Sequence, residues 1–247
     1  MTSRHTPQTG FTLIELAMVL LIVALLLGSG MAVLSTQMEQ QKFKDTQKVL
    51  DDAREALIGY VASHLATDSR PYLPCPDKTT ALPAGGTEND GQEDRAGGVC
   101  VVAEGNLPWV TLGVSGLDGW GNRLRYRPTP AFANSATGMR LDSLGTLSVN
   151  NAAGAAVATG VPVVVLSHGP NMWGAISSSG TAVGAPPAAN INETENADND
   201  TFFFSNPPVM AGLAGGEFDD VVTWLPSSLL FNRMLQAGVC VKTAACP

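Results

Sequence analysis

Glu15 is a carboxylate set into the most apolar stretch of the chain. After it, residues 16–34 run for 19 positions without a charge, close to the ~20 that a helix needs to cross a bilayer core. Near the centre of a membrane helix an acidic side chain costs roughly 2.5 to 3.5 kcal/mol. One turn into the helix the dipole favours negative charge and lowers that cost. The remainder requires either a neighbouring positive charge or a seat among the lipid headgroups.

Cys75, Cys100, Cys240 and Cys246 form an even set confined to the part that follows the apolar run. In an exported domain two disulfides are the default reading, with three connectivities possible. Pairing by nearness in sequence joins Cys75 to Cys100 and Cys240 to Cys246. The first bridge closes a loop of about 25 residues and is worth ~3 kcal/mol in the chain-entropy model; the second closes a small C-terminal loop. Zinc is disfavoured, because there is no C-x2-C pair and only His5, His64 and His168 offer imidazole. Glu88, Asp90, Glu93 and Asp94 around Gly91 offer the oxygens that calcium takes, but without the spacing of an EF-hand loop. A solvated acidic loop is the simpler reading. Ser167 and His168 are adjacent, and neighbours on a strand face opposite ways, so they do not make the serine and base of a hydrolase. A turn or surface histidine is expected. No catalytic set emerges, and the chain is read as non-enzymatic.

The formal charge of -8, from 14 basic and 22 acidic residues, supplies no basic stripe for a phosphate backbone, so nucleic acid is not an expected partner. Beyond residue 34 the apolar run gives way to mixed charges at short helical spacings. Phe43, Leu50, Leu57 and His64 lie seven apart on one stripe. One helix over about 12–65 is expected, roughly 80 Å long at 1.5 Å per residue, apolar all round in its first half and amphipathic in its second. Gly28, Ser29 and Gly30 are its weak point, where a bend or local stretch is expected. Prolines from Pro71 end the helical part, and 71–98 reads as a loop. Strands are expected within 99–105, 107–114, 123–128, 146–149, 161–167, 201–205 and 220–226. An exposed, mobile loop is expected over 174–199, and a short helix over 229–236. The class is α+β, with an antiparallel sheet packed on the helix.

Gly10, Phe11, Thr12, Leu13, Ile14 and Glu15 read G-F-T-L-I-E directly before the apolar run, after a short leader whose fixed charge is Arg4. This resembles the class III signal of type IV prepilins and type II secretion pseudopilins. The resemblance implies cleavage between Gly10 and Phe11 by a prepilin peptidase, N-methylation of Phe11, and pairing of Glu15 with the Phe11 amine of a neighbouring subunit. It also implies a type IV pilin-like fold: a leader over 1–10, a stalk helix over 11–66 with its transmembrane part at about 12–34, and a head over 67–247.

Asp118-Gly119-Trp120-Gly121-Asn122, followed by Leu124 and Tyr126, is similar to the D-P-W-G-N-x-Y pattern of the major pseudopilin, with glycine in place of proline. Residues 166–171, LSHGPN, and 215–224, GGEFDDVVTW, resemble that family's C-terminal S-x-G-x-D-G and G-G-x-x-x-x-D-I elements, which surround a calcium ion. Here more than forty residues separate the two, and Asn171 stands where the family has aspartate. The resemblance implies Asp219 or Asp220 as calcium ligands, with backbone carbonyls from the 166–171 turn.

The expected function is that of a pilin-like structural subunit, a minor pilin of a type IV pilus-class filament, since the head is larger than a compact repeating subunit needs. The alternatives are a pseudopilin of a type II secretion system, which the D-x-W-G-N stretch favours, and a membrane-anchored binding module or enzyme that uses the signal for export. Expected partners are other pilin or pseudopilin subunits, the prepilin peptidase and an inner-membrane assembly platform. The expected location is a single pass through the inner membrane with the head in the periplasm, and the filament or cell surface after assembly.

Overall fold

The computed structural model describes residues 10, 12–209, 216–242, 244 and 246, and of residues 26–34 the backbone alone. α1 (Leu13–Ser63) is one helix of 51 residues and stays helical through Gly28, Ser29 and Gly30. The cost of about 1 kcal/mol per glycine does not interrupt a helix flanked on both sides by good helix formers. Among the described residues no helix is long and apolar enough to cross a membrane; the expected span over 12–34 includes the positions whose side chains lie outside the description.

The chain forms two compact units, Met1–Gln41 and Lys42–Pro247. In the first, Leu13, Ile14, Leu16, Leu20 and Leu25 are all exposed. In the second, Leu50, Ala53, Leu57, Ile58 and Val61 put one stripe of α1 into the main core. The later turns of α1 therefore belong to the head, which begins earlier in the chain than residue 67. His64 falls just past the helix end, stacked on Tyr60 with ring centroids 3.8 Å apart.

The elements after α1 are β1 (Arg95–Ala96), β2 (Val99–Cys100), β3 (Gly105–Asn106), α2 (Trp109–Leu112), β4 (Arg125–Pro128), β5 (Leu147–Asn150), β6 (Ala156–Val161), β7 (Val163–Ser167), α3 (Ile191–Ala197), β8 (Phe202–Phe204), β9 (Val221–Leu225) and α4 (Ser227–Gln236). β3, β4, β7 and β9 make a four-stranded antiparallel sheet in that order. β6, β5 and β8 make a three-stranded sheet in which β8 runs parallel to β5, a departure from the expected antiparallel pattern. The long connection through β6, β7 and α3 returns the chain in the same direction.

β7 explains the layering. All five of its residues are buried. Val163 and Val165 join the core that contains the α1 stripe, while Val164 and Leu166 join a second cluster with Leu147, Val149, Val161 and Phe203. Alternate side chains point to opposite faces, so the larger sheet is covered by α1 and α4 on one side and by the smaller sheet on the other.

Three further expectations are corrected. The stretch 99–105 is not one strand: β2 ends at Cys100, residues 101–104 bend, and β3 starts at Gly105 in the larger sheet, with Gly105 and Asn106 paired to β4. The stretch 107–114 is not a strand but contains α2, bracketed by Pro108 and by Gly113 in a left-handed conformation at φ 69; this punctuation outweighs the strand preference of Val110 and Thr111. The stretch 174–199 is not wholly an exposed loop, because α3 lies in it with Glu193 and Asn196 buried.

Cys75 is bonded to Cys100 and Cys240 to Cys246. Inside the first loop the acidic residues are committed to structure. Glu93 accepts from the Tyr60 hydroxyl at 3.0 Å and the Cys75 N–H at 2.9 Å, and it pairs with Arg95. Asp94 accepts from the Lys78 N–H at 2.8 Å. Glu93 and Asp94 thus hold the loop, and among the described residues Glu88, Asp90, Glu93 and Asp94 do not make a metal-sized group.

Asp77, fully buried, accepts from Asn106 Nδ2 at 3.1 Å. Burial, helped by the charges of Asp94 and Asp90, pushes its carboxyl up to about 6. The native state therefore holds this proton more tightly than the unfolded chain does. The contribution to stability is present below pH ~4 and is lost as the pH rises to about 6. Asp77→Asn keeps an acceptor for Asn106 without the charge. Its unfolding free energy should gain on wild type from pH 4 to 6 and then hold a constant lead, on the order of 3 kcal/mol by denaturant unfolding. A lead independent of pH would contradict this account of Asp77.

Candidate functional site

Three places carry the residues singled out in the sequence. At the N-terminus, Gly10 is exposed and Phe11 lies outside the described residues. Glu15 occupies the first turn of α1. Its Oε2 accepts from the Thr12 N–H and the Thr12 hydroxyl, each at 2.8 Å, and its own N–H donates to Thr12 Oγ1 at 3.4 Å. This is a reciprocal capping box, T-x-x-E, in which each residue satisfies an amide that the helix leaves open. The spacing was visible within G-F-T-L-I-E, but the sequence reading weighed Glu15 only as a charge.

The second place is the 118–122 turn. Asp118 Oδ1 accepts from the N–H groups of Trp120 and Asn122, both at 2.9 Å. The Gly119 N–H donates to the buried Thr46 hydroxyl of α1 at 2.9 Å, and Trp120 meets Phe43 edge-on with centroids 4.8 Å apart. A Cβ on residue 119 would lie 2.4 Å from the Lys42 carbonyl oxygen, which is the physical reason for glycine there. Asp118 Oδ2 also accepts from Ser167 Oγ at 2.7 Å, tying the turn to the end of β7. Ser167 thus bonds to a carboxylate and not to its neighbour, and His168, at 1% exposure, is buried and not on the surface.

The third place is a buried cluster of acids. Asp219 and Asp220, just before β9, meet Glu193 of α3, with one oxygen from each lying within 4.8 Å of the others. Their relative exposures are 6%, 5% and 0%. Gly169 makes the approach possible: a Cβ there would stand 2.3 Å from Asp219 Oδ1. The two sequence elements separated by more than forty residues are therefore in contact. The 168–171 turn also holds Asp219 directly, the Asn171 N–H donating to Asp219 Oδ2 at 3.1 Å.

Asparagines hold the acids in place. Glu193 Oε1 accepts from Asn171 Nδ2 at 2.7 Å and Oε2 from Asn190 Nδ2 at 3.0 Å. Asp220 Oδ2 accepts from Asn196 Nδ2 at 2.7 Å. Asp219 Oδ1 and Asp220 Oδ1 are sealed from solvent without a hydrogen bond, and His168 Nδ1 lies 3.5 Å from the latter. Burial, with the charges of Glu193, Asp220 and Glu217, pushes Asp219 up to about 8, and burial raises Glu193 as well. Three acids with two unsatisfied oxygens in one buried volume require protons or a cation to balance them. The donor set is all oxygen, which suits a hard divalent ion. A second trio, Glu195, Asp198 and Asp200, is only partly buried, and Asp198 and Asp200 bind backbone N–H groups of the α3–β8 turn.

Sequence reading reached Asp219 and Asp220 but missed Glu193, Asn190 and Asn196. Their spacing of three was the available signal, because it puts them along one side of a helix.

Residues 6–31 fit the family model of the prokaryotic N-terminal methylation motif. No curated protein and no solved structure matches the chain. The match falls on the capping box and the apolar turns that follow it, and so the chain carries the class III prepilin signal of type IV pilins and pseudopilins.

Proposed function

We propose that this protein is a pilin-like structural subunit, a minor pilin of a type IV pilus-class filament. A prepilin peptidase cuts it between Gly10 and Phe11, Phe11 is methylated, and the subunit assembles through α1 with other pilin subunits at an inner-membrane platform. The observation that carries this reading is the signal over residues 6–31, set at the head of a 51-residue helix whose first turns expose apolar side chains. Residues 16–34 supply the single pass through the inner membrane, with the head in the periplasm until assembly brings it to the filament. The work is assembly, not catalysis. The second reading, a pseudopilin of a type II secretion system, draws its support from the 118–122 turn seated on α1.

The buried acids have a place in this reading. Glu193, Asp219 and Asp220 hold a calcium ion that fastens α3 to the start of β9. Millimolar calcium added after EDTA should then raise the melting temperature of the head, by linkage to the native state. The rise should vanish in Asp219→Ala and in Glu193→Ala. An unchanged melting temperature in wild type would remove calcium from the site.

Assembly is tested at Glu15. Glu15→Ala should still insert, since it removes a group that is costly in lipid, but should join a filament poorly. It leaves the amine of a neighbour unpaired in a medium of low dielectric, at a typical cost of ~3 to 5 kcal/mol. Glu15→Gln separates charge from capping, because the amide oxygen can still accept from Thr12. The ratio of sheared filament protein to membrane protein should fall in both variants, a few hundredfold by that cost. A ratio preserved in Glu15→Gln would assign Glu15 to capping alone and overturn the pairing.

A further inference from the structure

Lys78 is 2% exposed, and an ammonium is seldom buried so fully without partners. Its Nζ donates to two backbone carbonyls of the loop that follows, Pro83 at 3.0 Å and Ala81 at 3.4 Å, while Asp94 offsets its charge. The carbonyl between them, that of Leu82, accepts from the Thr80 hydroxyl at 2.6 Å. Three successive carbonyls are thus held by side chains. The base of the loop is tied as well: the Lys78 N–H donates to Asp94 Oδ2 at 2.8 Å, and the Asn89 N–H to the Lys78 carbonyl at 3.0 Å. What this fixed loop presents to solvent is Leu82, 76% exposed. A lone exposed leucine is ordinary. One whose backbone is already held loses little further freedom when its side chain is covered, which lowers the cost of docking it.

The same chain carries an apolar hole. A cavity of about 360 Å³ lies between the β2–β3 connection and the segment after β4, with Val99, Val102, Pro128, Pro130 and Ala131 in its wall. Three of these, Val99, Pro130 and Ala131, are exposed, so the cavity opens to the surface. Its wall is braced: Cys100 is bonded to Cys75, the Ala133 carbonyl accepts from Arg95 Nη1, and the Phe132 carbonyl accepts from the Leu73 N–H at 2.7 Å. The volume is room for about a dozen waters at ~30 Å³ each, ample for a leucine side chain. Water there finds few polar partners, and an apolar group that displaces it gains affinity.

Neither surface carries a charge. Residues 79–87 contain no acidic or basic side chain, and none lines the cavity. On a chain of net charge -8 two copies repel one another except where both faces are neutral. A basic partner would be drawn to the acidic patches instead. A neutral knob and a neutral hole suit a partner of the same sign, and this chain supplies both halves. We propose that the Leu82 loop of one copy of this chain docks into the cavity lined by Val102 and Pro130 of another. Because knob and hole come from different segments, each copy can offer one and receive the other, the kind of contact from which a filament is built. One leucine in one cavity is too small an interface to hold two heads by itself. Assembly through α1 supplies the effective concentration, and to that extent the inference rests on the filament reading.

The test is photocrosslinking in membranes of cells that co-express two forms of the full chain with different affinity tags. One form carries p-benzoylphenylalanine at position 82, and the other is wild type. The expected product joins both tags, and peptide mass spectrometry places the new bond within 99–103 or 128–134 of the wild-type copy. Ala131→Glu in the second form sets a carboxylate at the cavity and should cut the yield at least ~10-fold. Ala131 is exposed, so both disulfides should still form. Should that form not accumulate, Val99→Glu takes its place. The same probe at position 144, where Leu144 is 80% exposed, should not reach the cavity. A product with only a lipid or a different protein, a bond elsewhere on the copy, no product, or an equal yield in the variant would overturn the proposal. Shearing the same cells separates it from the filament reading. The chain in sheared filaments without the product refutes the docking alone, and the product in membranes with no chain in sheared filaments refutes the filament reading alone.

Discussion

Apolar surface that the described structure leaves uncovered is the constraint on which the rest of this protein turns. Leu13 is 89% exposed and Leu25 66%, while Leu50 and Leu57, farther along the same helix, are fully buried. Covering a leucine side chain is worth roughly 1.5 to 3 kcal/mol, so a run of exposed ones is stable only against lipid or against other apolar helices. The N-terminus of such a helix also presents four unpaired N–H groups. Thr12 and Glu15 answer two of them by binding each other's amides. A carboxylate in this setting is thus both a cap for its own helix and a charge that another subunit can use.

The head is organised around the opposite condition, a strand apolar on both faces. Because β7 is buried throughout, its end delivers Ser167 and His168 into the interior, where polar groups must find partners. Ser167 bonds to Asp118, whose turn rests on Thr46 of α1 through the Gly119 N–H. His168 lies beside Asp220, which Asn196 ties to α3. A chain of contacts therefore runs from α1 through the 118–122 turn and the end of β7 to the acid cluster. The family-like fragments of the sequence are the links of this chain, which gives each a structural role before any ligand is considered.

What was legible in the sequence followed from strong local patterns. The long helix, its amphipathic second half and the strands around 125–128, 147–150, 163–167 and 221–225 were readable because apolar period and turn residues agree there. α2 was missed because Val110 and Thr111 favour strand, while Pro108 and Gly113 decide the local path. α3 was hidden in a segment rich in glycine and alanine, and with it Glu193, whose role appears only when β9 is brought beside it. The parallel pairing of β5 and β8 depends on a return path that no local pattern records.

The central claim is that this chain is a processed subunit whose mature end is the head of α1. Intact-mass analysis of the protein isolated from membranes, with fragmentation of its N-terminal peptide, tests it most directly. The account predicts a mature chain that begins at Phe11 and carries a methyl group on its amine. A chain that retains Met1, or one cut after Gly30, would contradict it.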